Sequence, residues 1–155
     1  MSPAAMYIHF PSKEDLFHHV ALHAHVASTG SFNDPARQAT DPSTRLRLGV
    51  ASFATWMAEM NVFARTIEYE MRLHRGPAFA DIWELRRRLD VHMLEILSEG
   101  VEDGSFQIAD LKWTKIMILS SCIDVGRWYR QDARRTPTAI GFQYAELAMR
   151  LAGAR

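Results

Sequence analysis

The fold class this chain predicts is all-α, with about six long helices following one short one. Three observations carry that prediction. Apolar residues recur at spacings of three and four along most of the 155 residues. No segment alternates convincingly at period two, as a half-buried strand would. Ser, Thr, Asp or Asn, several followed by Pro, stand ahead of the periodic segments, where helix starts need them.

Element by element, Ser2 precedes Pro3, which suits a first helical position, and this short helix runs to about Phe10, where Pro11 closes it. Ser12 caps the second helix, with Asp15 completing an approximate capping box. Leu16, Phe17, Val20, Ala21 and Ala24 form its apolar stripe. Gly30, Ser31, Asn33, Asp34, Pro35, Asp41 and Pro42 make residues 28–42 read as a loop. Ser43 or Thr44 opens a third helix with Leu46, Val50, Phe53, Ala54 and Met57 in register. Asn61 caps the next, carrying Phe63, Ile67 and Met71 and stopping near Gly76 and Pro77. A helix from Pro77 to Glu99 has Ile82, Leu85, Leu89, Met93 and Ile96 on one side. Residues 100–106 read as a polar turn. Asp110 caps a helix from Leu111 to about Arg130, and Thr136 with Pro137 opens the last, ending at Leu151.

Composition narrows the function. Eighteen Lys plus Arg balance eighteen Asp plus Glu, which excludes a uniformly basic nucleic-acid binder or an acidic tail but leaves room for a local patch. The single cysteine, Cys122, excludes a disulfide framework and a cysteine-based zinc site, and fits a reducing compartment. No apolar stretch has the length of a membrane span, and none near the start resembles a signal peptide, so the expectation is a cytoplasmic protein without a membrane partner. His19 and His23 could share a helical face, yet no Glu-x-x-His pattern supplies carboxylates for a metal. Ser120 and Ser121 lack a nucleophile elbow, and there is no phosphate-binding loop. The reading is no enzyme, no metal and no cofactor.

Two features exceed what a simple bundle needs. The helix from Leu111 is apolar on nearly every side, and the last helix is similar, so each must bury a second face. Central placement in the bundle and a subunit interface both satisfy that demand. The middle helices also hold Phe53, Trp56, Met57, Met60, Phe63, Met71, Trp83 and Met93. Such residues fill an ordinary core, and equally they suit an adaptable apolar cavity.

The run from Ser2 to Phe17, with Tyr7-Ile8-His9-Phe10 followed by Ser12-Lys13-Glu14-Asp15-Leu16, closely resembles the end of the DNA-binding domain in the TetR family of one-component transcriptional regulators. Ile123-Asp124-Val125-Gly126-Arg127-Trp128-Tyr129-Arg130 and Tyr144-Ala145-Glu146-Leu147-Ala148-Met149-Arg150 resemble a branch of that family that includes regulators of sterol and acyl-thioester catabolism. The resemblance implies a TetR-like regulatory domain preceded by a remnant of the helix-turn-helix recognition helix. Residues 1–11 would be that remnant and residues 12–155 an effector-binding and dimerisation domain. Tyr7, His9 and Lys13 match positions set against the DNA backbone, and Ser2 and Ala4 fall where the recognition helix faces the major groove. Tyr7 and Phe10 also read as core. Family members carry two helices ahead of the recognition helix, which leaves two expectations: a mis-set start at Met1, or a shortened protein. Operator DNA is expected as a partner only with those helices present.

By the same resemblance the function is that of a ligand-responsive regulator, a repressor by type. Its partner would be a hydrophobic small-molecule effector, an acyl or polycyclic thioester among the candidates. The alternatives are a helical dimerisation module without effector, or a heterodimer partner of a full-length regulator. The nominated ligand-binding residues are Phe53, Trp56, Met57, Met60, Phe63, Ile67, Met71, Trp83, Leu89, Met93, Trp113 and Met117, with His92 as polar anchor. Arg86, Arg87 and Arg88 are a candidate thioester-phosphate contact or a solvated face. A homodimer through the last two helices would use Ile118, Cys122, Val125, Gly126, Tyr129, Ile140, Tyr144, Ala145, Leu147, Ala148 and Leu151.

Overall fold

The computed structural model describes residues 10–132 and 134–154. They form helices α1 (Lys13–Ala36), α2 (Pro42–Glu59), α3 (Asn61–Glu70), α4 (Ala80–Glu102), α5 (Leu111–Trp128) and α6 (Pro137–Leu151), with a 3-10 turn at Pro77–Phe79. Among the described residues there is no strand. The expected short helix over residues 2–10 lies almost wholly outside them.

Local chemistry sets most boundaries where the sequence puts them. The side chains of Ser12, Asp110 and Thr136 each accept the backbone N–H three residues on, from Asp15, Trp113 and Ala139. At α2 the cap is Asp41, not Ser43 or Thr44. Its carboxylate accepts the Thr44 N–H at 2.8 Å, and Pro42 takes the first helical position.

Three expectations need correction. Residues 28–42 form a loop only over 37–41, since α1 continues to Ala36 and α2 starts at Pro42. The hydroxyls of Ser28 and Thr29 both donate back to the His25 carbonyl, at 3.2 and 2.7 Å, so these polar side chains are satisfied inside the helix. Phe32 and Ala36, fully buried, supply the apolar anchors for the extension. Asn61 does not cap α3 but begins it, and its Nδ2 donates to the Tyr129 carbonyl at 2.7 Å, tying α3 to the end of α5. Residues 100–106 are only partly a turn. Helix α4 runs through Gly100 to Glu102, and the ring of Phe106 folds back onto the missing side chain of Gly100.

The main core gathers Phe32 from α1, Leu46, Val50 and Phe53 from α2, Met93, Ile96 and Leu97 from α4, Ile118 and Val125 from α5, and Ile140, Ala145 and Ala148 from α6. Helix α6 lies closely against α2 because Gly141 and the alanines present almost no bulk there. A smaller cluster of Ala21, Ala24, Ile67, Met71, Phe79 and Ile82 joins the N-terminal half of α1 to α3 and the start of α4. Beside Phe53, Met57, Leu89 and Leu119 of the main core the packing leaves a gap.

Candidate functional site

That gap is a cavity of about 240 Å³ reached by five helices. Helix α1 contributes His25, Ser28 and Thr29, and α2 contributes Phe53 and Met57. Glu68 comes from α3, and Arg86, Leu89 and Asp90 come from α4. Helix α5 closes it with Lys115, Ile116, Leu119, Ser120 and Ile123. The sequence predicts a large, apolar lining. The observed one is modest in size and has a polar side as well as an apolar one.

The polar side is organised around His25. A 2.7 Å contact from Nδ1 to the Ala21 carbonyl requires a proton on Nδ1, so Nε2 is left as the acceptor for Arg86 Nη1 at 3.1 Å. Burial pushes the His25 pKa below its ordinary value; the Ala21 carbonyl opposes this, the Arg86 charge adds to it, and the nearby Glu68 carboxylate also opposes it. The same guanidinium forks onto Glu68 at 2.9 and 3.0 Å and lies 5.3 Å from the centre of the Trp83 ring system. Across the cavity Lys115 Nζ meets Asp90 Oδ2 at 3.0 Å. Every charge on the lining therefore has a partner, and the cavity accepts an uncharged group without leaving one unpaired.

Glu68, Arg86, Ser120 and Ile123 also line an outer groove of about 560 Å³ between α3 and α5. The remaining walls of the groove are Arg65 and Tyr69 on α3, Arg72 in the turn after it, and Asp124 and Arg127 on α5. On α5 the groove residues follow the spacing i, i+3, i+4, i+7, one continuous helical face, and on α3 Arg65, Glu68 and Tyr69 begin the same pattern.

Of the nominated ligand-binding residues, the structure brings Phe53, Met57 and Leu89 to the cavity. Trp56 and Ile67 line a small adjoining pocket beside His25. Met71 and Met93 are buried in the two cores, Phe63 packs against the smaller one, and Trp83 flanks a shallow groove with Arg75 and Arg87. Met60, Trp113 and Met117 are on the surface. His92 stands outside the cavity at the seam of α1, α2 and α4, with Nδ1 2.6 Å from Asn33 Oδ1 and Nε2 facing Arg45. Arg87 and Arg88 are both held by Glu84 on the outer side of α4. His25, Ser28, Thr29 and Lys115 escape the sequence reading. Placing residues 28–42 in a loop hides Ser28 and Thr29 and obscures His25, although Ala21, Ala24 and Ser28 already mark His25 as lying on an inward face.

The residues nominated for the subunit interface mostly face inward. Ile118, Cys122, Val125, Gly126, Tyr129, Ile140, Ala145 and Ala148 are buried within the chain, because α5 and α6 turn these faces toward α2 and α3. Burial pushes the Cys122 thiol up to about 12, and a hydrogen bond with Ser121 opposes this only weakly. Tyr144 is half-buried and stacks on Trp128, and Leu147 and Leu151 are exposed. Outside, Trp113, Met117 and Trp128 share one stripe of α5, and on α6 Phe142, Leu147 and Leu151 point outward, with Trp113 64% and Phe142 62% exposed. Ser2, Ala4, Tyr7 and His9 lie outside the described residues, and Lys13 is exposed in the first turn of α1.

An all-helical domain with a cavity walled by its first long helix is the class this geometry defines. Residues 39–152 match the family model described as tetracyclin repressor-like, C-terminal domain. The chain belongs to the TetR family of transcriptional regulators. It is similar to a regulatory protein of that family from Rhodococcus RHA1, at 30% identity and a TM-score of 0.90, covering 100% of this chain and 82% of that one. It is also similar to the TetR-family transcriptional regulator PfmR from Thermus thermophilus, at 27% identity and a TM-score of 0.86, covering 97% of this chain and 82% of that one. The fold is shared with AibR, solved with isovaleryl coenzyme A and operator DNA, at 17% identity and a TM-score of 0.85, covering 100% of this chain and 83% of that one. No curated protein sequence matches the chain. Of these three structures the first two are regulators by name, and the third was solved on its operator. Among the described residues no helix is long and apolar enough to cross a membrane, and no cluster of His, Cys, Asp or Glu is placed to hold a metal ion.

Proposed function

We propose that this chain is the effector-binding and dimerising part of a TetR-type repressor, and that the effector enters the cavity between α1 and α5. The observation that carries the reading is the position of His25, Ser28 and Thr29: the helix that leads out of the DNA-binding segment is itself a wall of the cavity. A molecule that fills the space must press on α1, and the states that α1 adopts with and without it differ in affinity for that molecule. Operator contact would need the two helices that family members carry ahead of Ser2; with them, Tyr7, His9 and Lys13 suit phosphates and Ser2 and Ala4 would face bases.

The cavity favours an acyl over a polycyclic thioester. Its volume of about 240 Å³ lies below the range usual for drug-sized ligands, and Phe53, Met57, Leu89, Ile116 and Leu119 line its apolar side. AibR, whose fold this chain shares, was solved with a short branched acyl thioester. The second copy of the chain covers the exposed apolar side chains of α5 and α6, among them Trp113, Met117, Trp128 and Phe142.

Native mass spectrometry with added isovaleryl thioester tests both parts. The expected species has twice the chain mass of 17.7 kDa and carries one adduct per chain, and Ile116→Trp, which fills the cavity, removes the adduct. A monomer overturns the interface. An adduct that survives Ile116→Trp overturns the cavity as its site.

A further inference from the structure

The geometry points to a second binding element beside the cavity: the outer groove between α3 and α5 is a site for a phosphorylated nucleotide. Tyr69 and Arg65 of α3, with Arg72 of the turn that follows, are its recognition groups. The inference rests on the effector reading only for which molecule brings the nucleotide, not for the groove itself.

Three observations support it. Arg65 and Arg72 line the groove on one face of α3 and its C-terminal turn, and among the described residues neither guanidinium meets a carboxylate. The other two arginines there are held, Arg86 by Glu68 and Arg127 by Asp124, so the charge left over in the groove is positive. Arginine is suited to this task because its planar fork matches two phosphate oxygens. Between the two free arginines stands Tyr69, which is 67% exposed. An exposed ring beside guanidinium groups offers a purine base a stacking surface and its phosphates a charge partner. The groove of about 560 Å³ is also more than twice as roomy as the cavity of about 240 Å³.

The two spaces meet at Arg86, Ser120, Glu68 and Ile123, which line both. The arrangement therefore sorts a two-part molecule by chemistry. Its uncharged end fits where every charge is already paired, and its anionic end fits where two cations are free. A phosphate near the shared wall also competes for Arg86, the residue that holds His25 of α1.

Adenosine 3′,5′-bisphosphate, titrated calorimetrically into the full chain at fixed ionic strength, is the direct test. One probe should bind per chain. Tyr69→Ala should weaken it at least about fivefold and the Arg65→Ala, Arg72→Ala pair at least about tenfold. Arg88→Ala, on the outer side of α4 and held by Glu84, should leave it unchanged. No saturable binding, or equal weakening by Arg88→Ala, overturns the site, the second because it would show diffuse charge attraction. An acyl thioester that binds more tightly than the probe, with the advantage lost in Ile116→Trp, supports the site with the nucleotide as the handle of the effector. Equal binding of both, unaffected by Ile116→Trp, supports the site with a free nucleotide as its ligand and removes the cavity reading alone.

Discussion

Arg86 Nη1 on α4 lies 3.1 Å from Nε2 of His25 on α1, while the same guanidinium is forked onto Glu68 of α3. One side chain thus joins three helices at the cavity wall. Arg86→Ala leaves a partly buried carboxylate and an imidazole nitrogen without a donor. The expected loss is about 2 kcal/mol in urea unfolding. Arg86→Lys should recover little of it, because an ammonium cannot reproduce the fork. Full recovery by lysine would show that only the charge matters.

Gly141 and Gly76 should respond oppositely to alanine. A Cβ at Gly141 would sit 2.1 Å from Thr55 Oγ1 and 2.3 Å from the Ala51 carbonyl oxygen, so the α2 backbone itself must move. We expect Gly141→Ala to destabilise by about 3 kcal/mol, at the upper end for overpacking. At Gly76 a Cβ meets nothing within 4 Å and φ is −76°. Gly76→Ala should be neutral or stabilise by up to about 1 kcal/mol, by restricting the unfolded chain. Comparison of their urea midpoints checks both.

The outer face of α5 and α6 predicts a clean separation of assembly from folding. Phe142→Glu combined with Leu147→Glu places charges on exposed positions, so the far-UV spectrum should stay native while sedimentation reports a single chain. Val125→Glu, fully buried, should instead unfold the chain through an unpaired buried charge. A double variant that remains a dimer would place the interface elsewhere.

This division explains what the sequence could and could not show. Periodicity shows that α5 and α6 are apolar on two faces, but it does not say which face meets the same chain. Ile118, Cys122 and Val125 differ from Trp113 and Met117 in direction, not in hydropathy, so a reading by hydropathy exchanges the inner and outer faces. Capping chemistry is local, and Ser12, Asp110 and Thr136 are legible for that reason. The extension of α1 is not. Ser28, Thr29 and Ser31 carry loop-like polarity that only their back-bonds within the helix reconcile with burial. The partner of His25 lies sixty-one positions away on α4, beyond any spacing rule.

Cys122 gives a probe of opening. Its thiol is buried and pushed up to about 12, so little thiolate exists at pH 8 and reagent cannot reach it. Alkylation of the native protein should be slow, should follow unfolding as urea is added, and should reach one thiol per chain when unfolding is complete. Fast labelling without denaturant would mean that α5 opens locally.

Acid should weaken the fold in two stages. Burial lowers the pKa of both His25 and His92 from 6.5, the charge of Arg86 adding at the first and those of Arg45 and Arg37 at the second. Near His25 the Ala21 carbonyl and Glu68 oppose the shift, as Glu95 and Glu99 do near His92. A lowered value means that the unfolded chain binds protons more readily than the native one. The stability these rings supply is complete above pH 6.5 and is lost as pH falls through their native values. Asp41, Asp81 and Asp124 are also lowered, from 3.8, so their contribution disappears only in a second, more acidic stage. His25→Gln keeps an acceptor for Arg86 but removes the titration. Thermal unfolding followed downward from pH 7.5 should therefore show a shallower loss in His25→Gln than in the native chain. The same slope in both would mean that His25 binds protons equally in the native and unfolded chain, and the first stage would then belong to His92.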